Sequence, residues 1–316
     1  MALKLVFILR HRITQWALLL GAGVTAVWFF VSSFSDITRI IDRASIVFVL
    51  TAIPFAALHL IAGFIAWRIA RGSEKFVESV FHDAALFFAS QLGKYIPGGI
   101  GNLAVMVSIS NFDRFHERRG VPAMVFVTVL SASTGLMIAA VIGFWLGLHV
   151  RLAALSMCLA ALLFLALLAS LKFRCRRLRP LLQRFTLDIN INRFLRVLLW
   201  VSISWVFAGF HIVILFMATG LSFSWTYFLI ALASYAFAWS VGTLFIAAPA
   251  GIGAREAALL LFSAGIFLES EVFIVALVSR IVLSALDVGL AGWGIAKIKK
   301  PRPAPSVSKV AELDRD

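Results

Sequence analysis

Five residues occur twice in nearly the same form. Pro97-Gly98-Gly99-Ile100-Gly101 returns as Pro249-Ala250-Gly251-Ile252-Gly253, an offset of 152 in a chain of 316 residues. Each copy interrupts an apolar region of membrane-spanning character. Proline removes a backbone donor and glycine permits a sharp turn, so each copy breaks a helix. Gly/Pro-broken apolar segments at matching positions in two halves point to a helical membrane protein built from internal repeats, with a binding site at the breaks.

Composition supports the bilayer as solvent. The chain is 62% hydrophobic, only 14% charged, and has a mean hydropathy of +0.99. A soluble domain of this size has no way to hide that much apolar surface. The net charge of +14 could suggest nucleic acid, but its placement does not. Of the 29 Lys and Arg, 23 fall before residue 13, at 68–75, at 114–119, at 172–196 and after 296. These are alternate loops, which the positive-inside rule assigns to the cytoplasm together with both termini. Cys158 lies in an apolar run and Cys175 in a basic one, so no disulfide framework is expected. The first apolar segment is too long for a signal peptide and lacks its cleavage site; it reads as a span.

Apolar runs at about 14–34, 45–69, 123–148, 151–171, 196–219 and 272–296 each suffice for the roughly 20 helical residues that a span needs. Residues 76–111 and 225–266 are different. Each offers a first arm of about 20 residues, the break, and a second arm of about 13, which reaches only about 20 Å. They read as re-entrant hairpins. The expected fold is all-α and polytopic, an inverted repeat with three spans plus one hairpin per half (about 14–148 and 151–296). Ten full spans is the alternative. One membrane domain covers 1–300, and 301–316, with Pro301, Pro303 and Pro305, reads as a disordered cytoplasmic tail. His59 and His211 repeat the 152-residue offset in the spans before the hairpins.

The breaks also suggest chemistry. Beyond Pro97 and Pro249 new half-helices begin, and helix N-termini present free N–H groups and a positive dipole end to anions. A phosphate cradle is expected from Lys94, Gly99, Gly101 and Asn102 on one side and Gly251, Gly253 and Arg255 on the other. Glu256, His59 and His211 are candidates for charge balance or proton coupling. Arg280, Ser284 and Asp287 would line the route, since residues seven apart share one helix face; Arg280 and Asp287 pair with each other or with hairpin groups. Tight helix packing is the plainer role for the glycines. Asp83 reads as shallow and solvated. No metal site and no cofactor are expected, and motifs of hydrolases, metalloproteases and nucleotide-binding loops are absent.

The stretches Lys94-Tyr95-Ile96-Pro97-Gly98-Gly99-Ile100-Gly101 and Pro249-Ala250-Gly251-Ile252-Gly253-Ala254-Arg255-Glu256 resemble the transmembrane, flippase-like domain of the lysylphosphatidylglycerol synthases and their stand-alone bacterial relatives. Glu256 matches the acidic position of the second motif. Ala250 departs from the usual glycine, and Ser131, Ser133 and Thr134 stand where many relatives carry charge. The resemblance implies a bacterial inner-membrane protein that moves an anionic phospholipid or a polyprenyl-phosphate-linked sugar across the bilayer. Lysyl transfer belongs to a soluble domain not seen here. A membrane-embedded transferase, or a structural partner of an envelope glycan or lipid synthase, is the alternative. Asp113 and Glu117, the one acidic pair a transferase would recruit, sit among arginines and read as a solvated loop.

Overall fold

The computed structural model describes residues 46–72, 80–95, 101–110, 114–172, 187, 189–245 and 251–297. Among them every regular element is helical. The helices are α1 (Ile46–Arg71), α2 (Val80–Gln91, extended by a 3-10 turn over Leu92–Tyr95), α3 (Gly101–Ser110), α4 (Arg114–Trp145) and α5 (Val150–Lys172). They continue with α6 (Ile191–Ala218), α7 (Trp225–Leu244), α8 (Ala254–Ser263) and α9 (Glu269–Lys297). The starts of α6 and α7 are set by ordinary capping: Asn190 accepts from the Arg193 N–H at 2.9 Å and Ser224 from the Tyr227 N–H at 3.0 Å.

Among the described residues, six helices are long and apolar enough to cross a membrane: Ile46–Arg71, Arg119–Trp145, Val150–Leu167, Ile191–Ala218, Trp225–Leu244 and Glu269–Lys297. Five match sequence-read spans to within a few residues. The sixth, Trp225–Leu244, is the first arm of the second break region, and at 20 residues it has the length of a crossing. The run at 14–34 lies outside the described residues, as do the tail and residues 173–186 of the basic stretch at 172–196. Of the arm before the first break, the described part is the 12 residues of α2 plus the four-residue turn. Helices α3 and α8 have ten residues each, about 15 Å of rise, half of a hydrocarbon core.

Helices α1 and α6 lie side by side and pack more extensively than any other pair of described helices. Two imidazoles tie them. His59 Nδ1 sits 3.0 Å from the Ser204 carbonyl and 2.8 Å from its hydroxyl, and His211 Nδ1 sits 3.1 Å from the Ala52 carbonyl. Around this pair α4 packs on α7, and α9 packs on α2. Small residues permit close approach: a Cβ on Gly135 would stand 2.7 Å from Ser240 Oγ, and one on Gly294 2.6 Å from the Ala85 carbonyl. Helix α5 packs chiefly on α4 and turns Leu155, Leu162 and Leu165 outward, an exterior suited to hydrocarbon.

Asp83 corrects its sequence reading. It is 0% exposed, and it links α2 to the end of α1 through ion pairs with Arg68 (3.1 Å) and Arg71. Arg71 in turn lies over the Trp67 ring, 4.8 Å from its centroid. A carboxylate near a basic loop looks exposed in sequence, yet the preceding helix folds two guanidiniums onto it. Burial of this kind is tolerable only because the charge is paired.

Candidate functional site

The two breaks open on one cavity of about 500 Å³. The first break contributes Lys94, Tyr95 and Asn102; the second contributes Gly251 and Arg255; α9 contributes Arg280, Ser284 and Asp287. His59, Gln91, Ser131, Ser204, Tyr235 and Trp239 are among the other polar and aromatic residues of the wall, with Leu103 and Leu283 among its apolar part.

Glycines hold both breaks closed. A Cβ on Gly93 would overlap the backbone of Gly101 and Asn102, so the turn before the first break touches the start of α3 directly. In the second break a Cβ on Gly251 would lie 2.5 Å from the Gly242 carbonyl oxygen. Gly251 also has φ +69°, and Gly253, the residue before α8, has φ +82°, both in the region that favours glycine. These contacts give the glycines of the repeated motif a packing role. Residues beside each break, Asn102 at the first and Gly251 at the second, line one cavity.

Helix α9 ties the breaks together through a single face. Arg280 Nη1 meets Glu256 Oε1 at 2.6 Å, joining α9 to α8. Seven residues on, Asp287 pairs with Lys94 and accepts from the Tyr95 hydroxyl at 2.8 Å, joining α9 to the first break. Ser284 stands between, 3.0 Å from the same Tyr95 oxygen. Arg280 and Asp287 therefore pair across to different breaks and not with each other.

Glu256 has a second role. Its Oε2 accepts from the Gly253 N–H at 2.8 Å, so the third residue of α8 reaches back over the helix start. The α8 N-terminus was expected to present free donors to an outside anion. One of them is already met by this carboxylate, which also receives Arg280 and not its neighbour Arg255.

Among the described residues around the cavity, Arg255 is the cation without a carboxylate partner. Its guanidinium carbon lies 6.0 Å from the Trp239 ring centroid, at the limit of a cation–π contact, and its buried Nε has no hydrogen-bond partner. Asp287 shows the complementary feature. Both of its described partners reach Oδ2, and the buried Oδ1 has none. Among the described residues around the cavity, Lys94, Arg255 and Arg280 stand against Asp287 and Glu256, one positive charge in excess.

The remaining sequence candidates divide. Gly101 is buried behind the first break and Gly253 serves the start of α8. His59 reaches the cavity wall but spends its Nδ1 on Ser204. His211 does not reach it. Buried, it bridges the Ala52 carbonyl and Ser279 Oγ (3.0 Å), and Ser279 lines a small recess of about 20 Å³ behind Glu256 and Arg280. Pro97, Gly99 and Pro249 lie outside the described residues. Three participants escaped the sequence reading. Tyr95 adjoins the first motif, and its neighbour Lys94 was the available signal. Trp239 and Ser204 sit in uniformly apolar helices and carried none.

A bundle of apolar helices, broken twice, with an ionisable cavity between the breaks, defines a polytopic membrane domain with a polar interior. The family model described as the lysylphosphatidylglycerol synthase TM region matches residues 15–290, and the chain belongs to that family. A comparison with curated proteins finds no match.

Proposed function

We propose that the protein carries the headgroup of an anionic lipid across a bacterial inner membrane, with the phosphate held by Arg255 in the cavity between the two breaks. The single observation that carries this is Arg255, which lines a cavity of about 500 Å³ with an excess positive charge among the described residues and has no carboxylate partner there. A cation within a membrane domain is costly unless paired or hydrated, and Arg255 lacks the carboxylate that Arg280 and Lys94 each have. An arriving phosphate supplies the missing anionic oxygens, and a planar guanidinium beside an indole suits it. Asn102 adds a donor. Lys94 enters already neutralised by Asp287, so its role is secondary to that of Arg255. The acyl or prenyl tails stay in lipid while the headgroup passes.

The inverted repeat belongs to the same reading. Adding 152 to His59 gives His211, and adding 152 to Ala52 gives Ser204. The contacts His59–Ser204 and His211–Ala52 map onto each other under that offset, which supports an internal two-fold of the kind seen in an isologous interface. Exchanging α1 with α6, α2 with α7 and α4 with α9 also converts the α4–α7 packing into α9–α2. Ten-residue second arms favour re-entrant hairpins over ten crossings. Two breaks entering from opposite leaflets would let one cavity be served from each side in turn.

Reconstitution into vesicles with a fluorescent anionic lipid, read by dithionite quenching, tests the reading. Arg255→Gln is expected to slow headgroup translocation at least tenfold while the protein folds normally. Equal rates for the variant and the native protein would remove the cradle.

A further inference from the structure

We infer that the small recess behind Glu256 and Arg280 is the shut counterpart of one lobe of the cavity, and that a second state of the protein opens the recess and shuts that lobe. This rests on the internal two-fold of the reading above and not on which anion is carried. The recess holds about 20 Å³, against about 500 Å³ for the cavity. Ile212, Arg255, Ala276, Ser279, Arg280 and Leu283 belong to its wall. Subtracting 152 from each number gives Leu60, Leu103, Met124, Val127, Thr128 and Ser131. All six of these line the cavity. The offset that carries one break onto the other thus carries an open space onto a closed one.

Side chains account for the difference. Gly63 on α1 borders the cavity, and a Cβ there would meet no heavy atom within 4 Å. Its counterpart on α6 is Leu215, only 2% exposed. The shut side is also tied. Ser279 Oγ lies 3.0 Å from His211 Nε2, and Arg280 Nη1 lies 2.6 Å from Glu256 Oε1. On the open side the counterparts of Ser279, Arg280 and Glu256 are Val127, Thr128 and Ala104. Val127 has no polar side-chain atom to offer His59, and Thr128 and Ala104 carry no charge, so neither tie can form there. Similar helices can then pack in two ways, and polar ties select one.

The two spaces also sit at different depths. Leu60 and Gly63 lie in the half of α1 that ends in Arg68 and Arg71, and Met124, Val127 and Thr128 in the half of α4 that begins at Arg114. Ile212 lies in the half of α6 away from Arg193 and Arg196, and Ala276, Ser279 and Arg280 in the half of α9 away from Lys297. With the basic ends cytoplasmic, the open lobe belongs to the cytoplasmic half of the bilayer and the recess to the external half.

Thiol labelling tests this. Cys158→Ala and Cys175→Ala clear the native thiols, and Thr128→Cys or Ala276→Cys then reports on the open lobe or the recess. The full chain in vesicles is treated from either side with a charged, impermeant methanethiosulfonate. Thr128→Cys is expected to react from the cytoplasmic side. Ala276→Cys should react only from the external side and about tenfold more slowly, because it waits for a minor state. Ser279→Val removes one tie and imitates the open side. It should speed Ala276→Cys about fourfold, the scale of one buried hydrogen bond, and slow Thr128→Cys. Gly63→Leu, which imitates Leu215, should also speed Ala276→Cys, since filling the open lobe favours the state in which that lobe is shut. An Ala276→Cys rate unmoved by both substitutions makes the recess a fixed packing void and overturns the inference. Labelling of both reporters from one side does the same, as does a faster Ala276→Cys in Ser279→Val with no slowing at Thr128→Cys. No lipid enters these readouts. Reciprocal labelling combined with equal translocation rates for Arg255→Gln and the native protein would remove the anionic cargo and leave the two states standing.

Discussion

Arg280 Nη1 lies 2.6 Å from Glu256 Oε1, and the other oxygen of the same carboxylate accepts from the Gly253 N–H at 2.8 Å. One side chain thus shapes the start of α8 and fastens it to α9. Both members of the pair are about four-fifths buried, at 21–22% exposure, so their attraction is only partly screened. Glu256→Gln keeps the shape but strips the charge from Arg280 and weakens the cap. A loss of about 2 kcal/mol is expected, combining a weakened buried pair with a weakened cap. Arg280→Met added to Glu256→Gln should recover part of it. Thermal unfolding in detergent of both single variants and the double checks this, and strict additivity of the two losses would show that the residues are not coupled.

The Arg68–Asp83–Arg71 cluster should matter more for folding than for the cavity. Asp83→Asn leaves two guanidiniums at the joint between α1 and α2, and Arg71 is only 2% exposed. Losing one member of a buried ion pair typically costs about 3–5 kcal/mol. Asp83→Asn is expected to lower the melting temperature more than Glu256→Gln. Retention of phosphatidylglycerol, an anionic lipid, should stay unchanged in whatever folded fraction remains. Retained-lipid mass spectrometry on that fraction separates the two effects.

These two clusters mark where sequence reading succeeds and where it stops. Span positions were legible because apolar runs of about 20 residues have few other uses. The breaks were legible because Pro and Gly act locally, and α8 begins at Ala254 as the motif implied. Pairing was not legible. Spacing puts Arg280 and Asp287 on one face of α9, but which partner each meets depends on how α8 and the Lys94 turn pack against that face. Asp83 was misread for the same reason, since its partners lie 12 and 15 residues away on the preceding helix. Trp239 and Tyr95 were missed because an aromatic residue in an apolar chain defaults to a lipid-facing or interfacial reading.

The two histidines should behave as equivalents. His59→Ala and His211→Ala each remove a tie between α1 and α6 that the other mirrors. Each substitution opens a small void and leaves a carbonyl without its partner, a loss of about 1–3 kcal/mol. Similar losses for the two, and similar slowing of translocation, are expected if an internal two-fold relates them. A large loss for one and none for the other, read by thermal unfolding, would count against that symmetry. His59→Asn and His211→Asn, which keep a donor at a similar reach, should restore part of the stability.

Closure of the second break gives a prediction about shape. Gly251 has φ +69°, and its Cα faces Gly242 so closely that any side chain strikes the Gly242 backbone at 2.5–2.8 Å. Gly251→Ala must therefore push the start of α8 away from α7, carrying Arg255 off the Trp239 ring and straining the Glu256–Arg280 pair. The backbone strain alone is about 1 kcal/mol or more, and the displaced Arg255 should weaken retention of phosphatidylglycerol. Gly220→Ala is the control: Gly220 also has positive φ, but no heavy atom lies within 4 Å of its would-be Cβ. It should lose a comparable amount of stability to strain and keep native lipid retention. If Gly251→Ala retains phosphatidylglycerol at the native level, Arg255 does not need the closed break to bind, and the link between the repeated motif and the cavity would have to be abandoned.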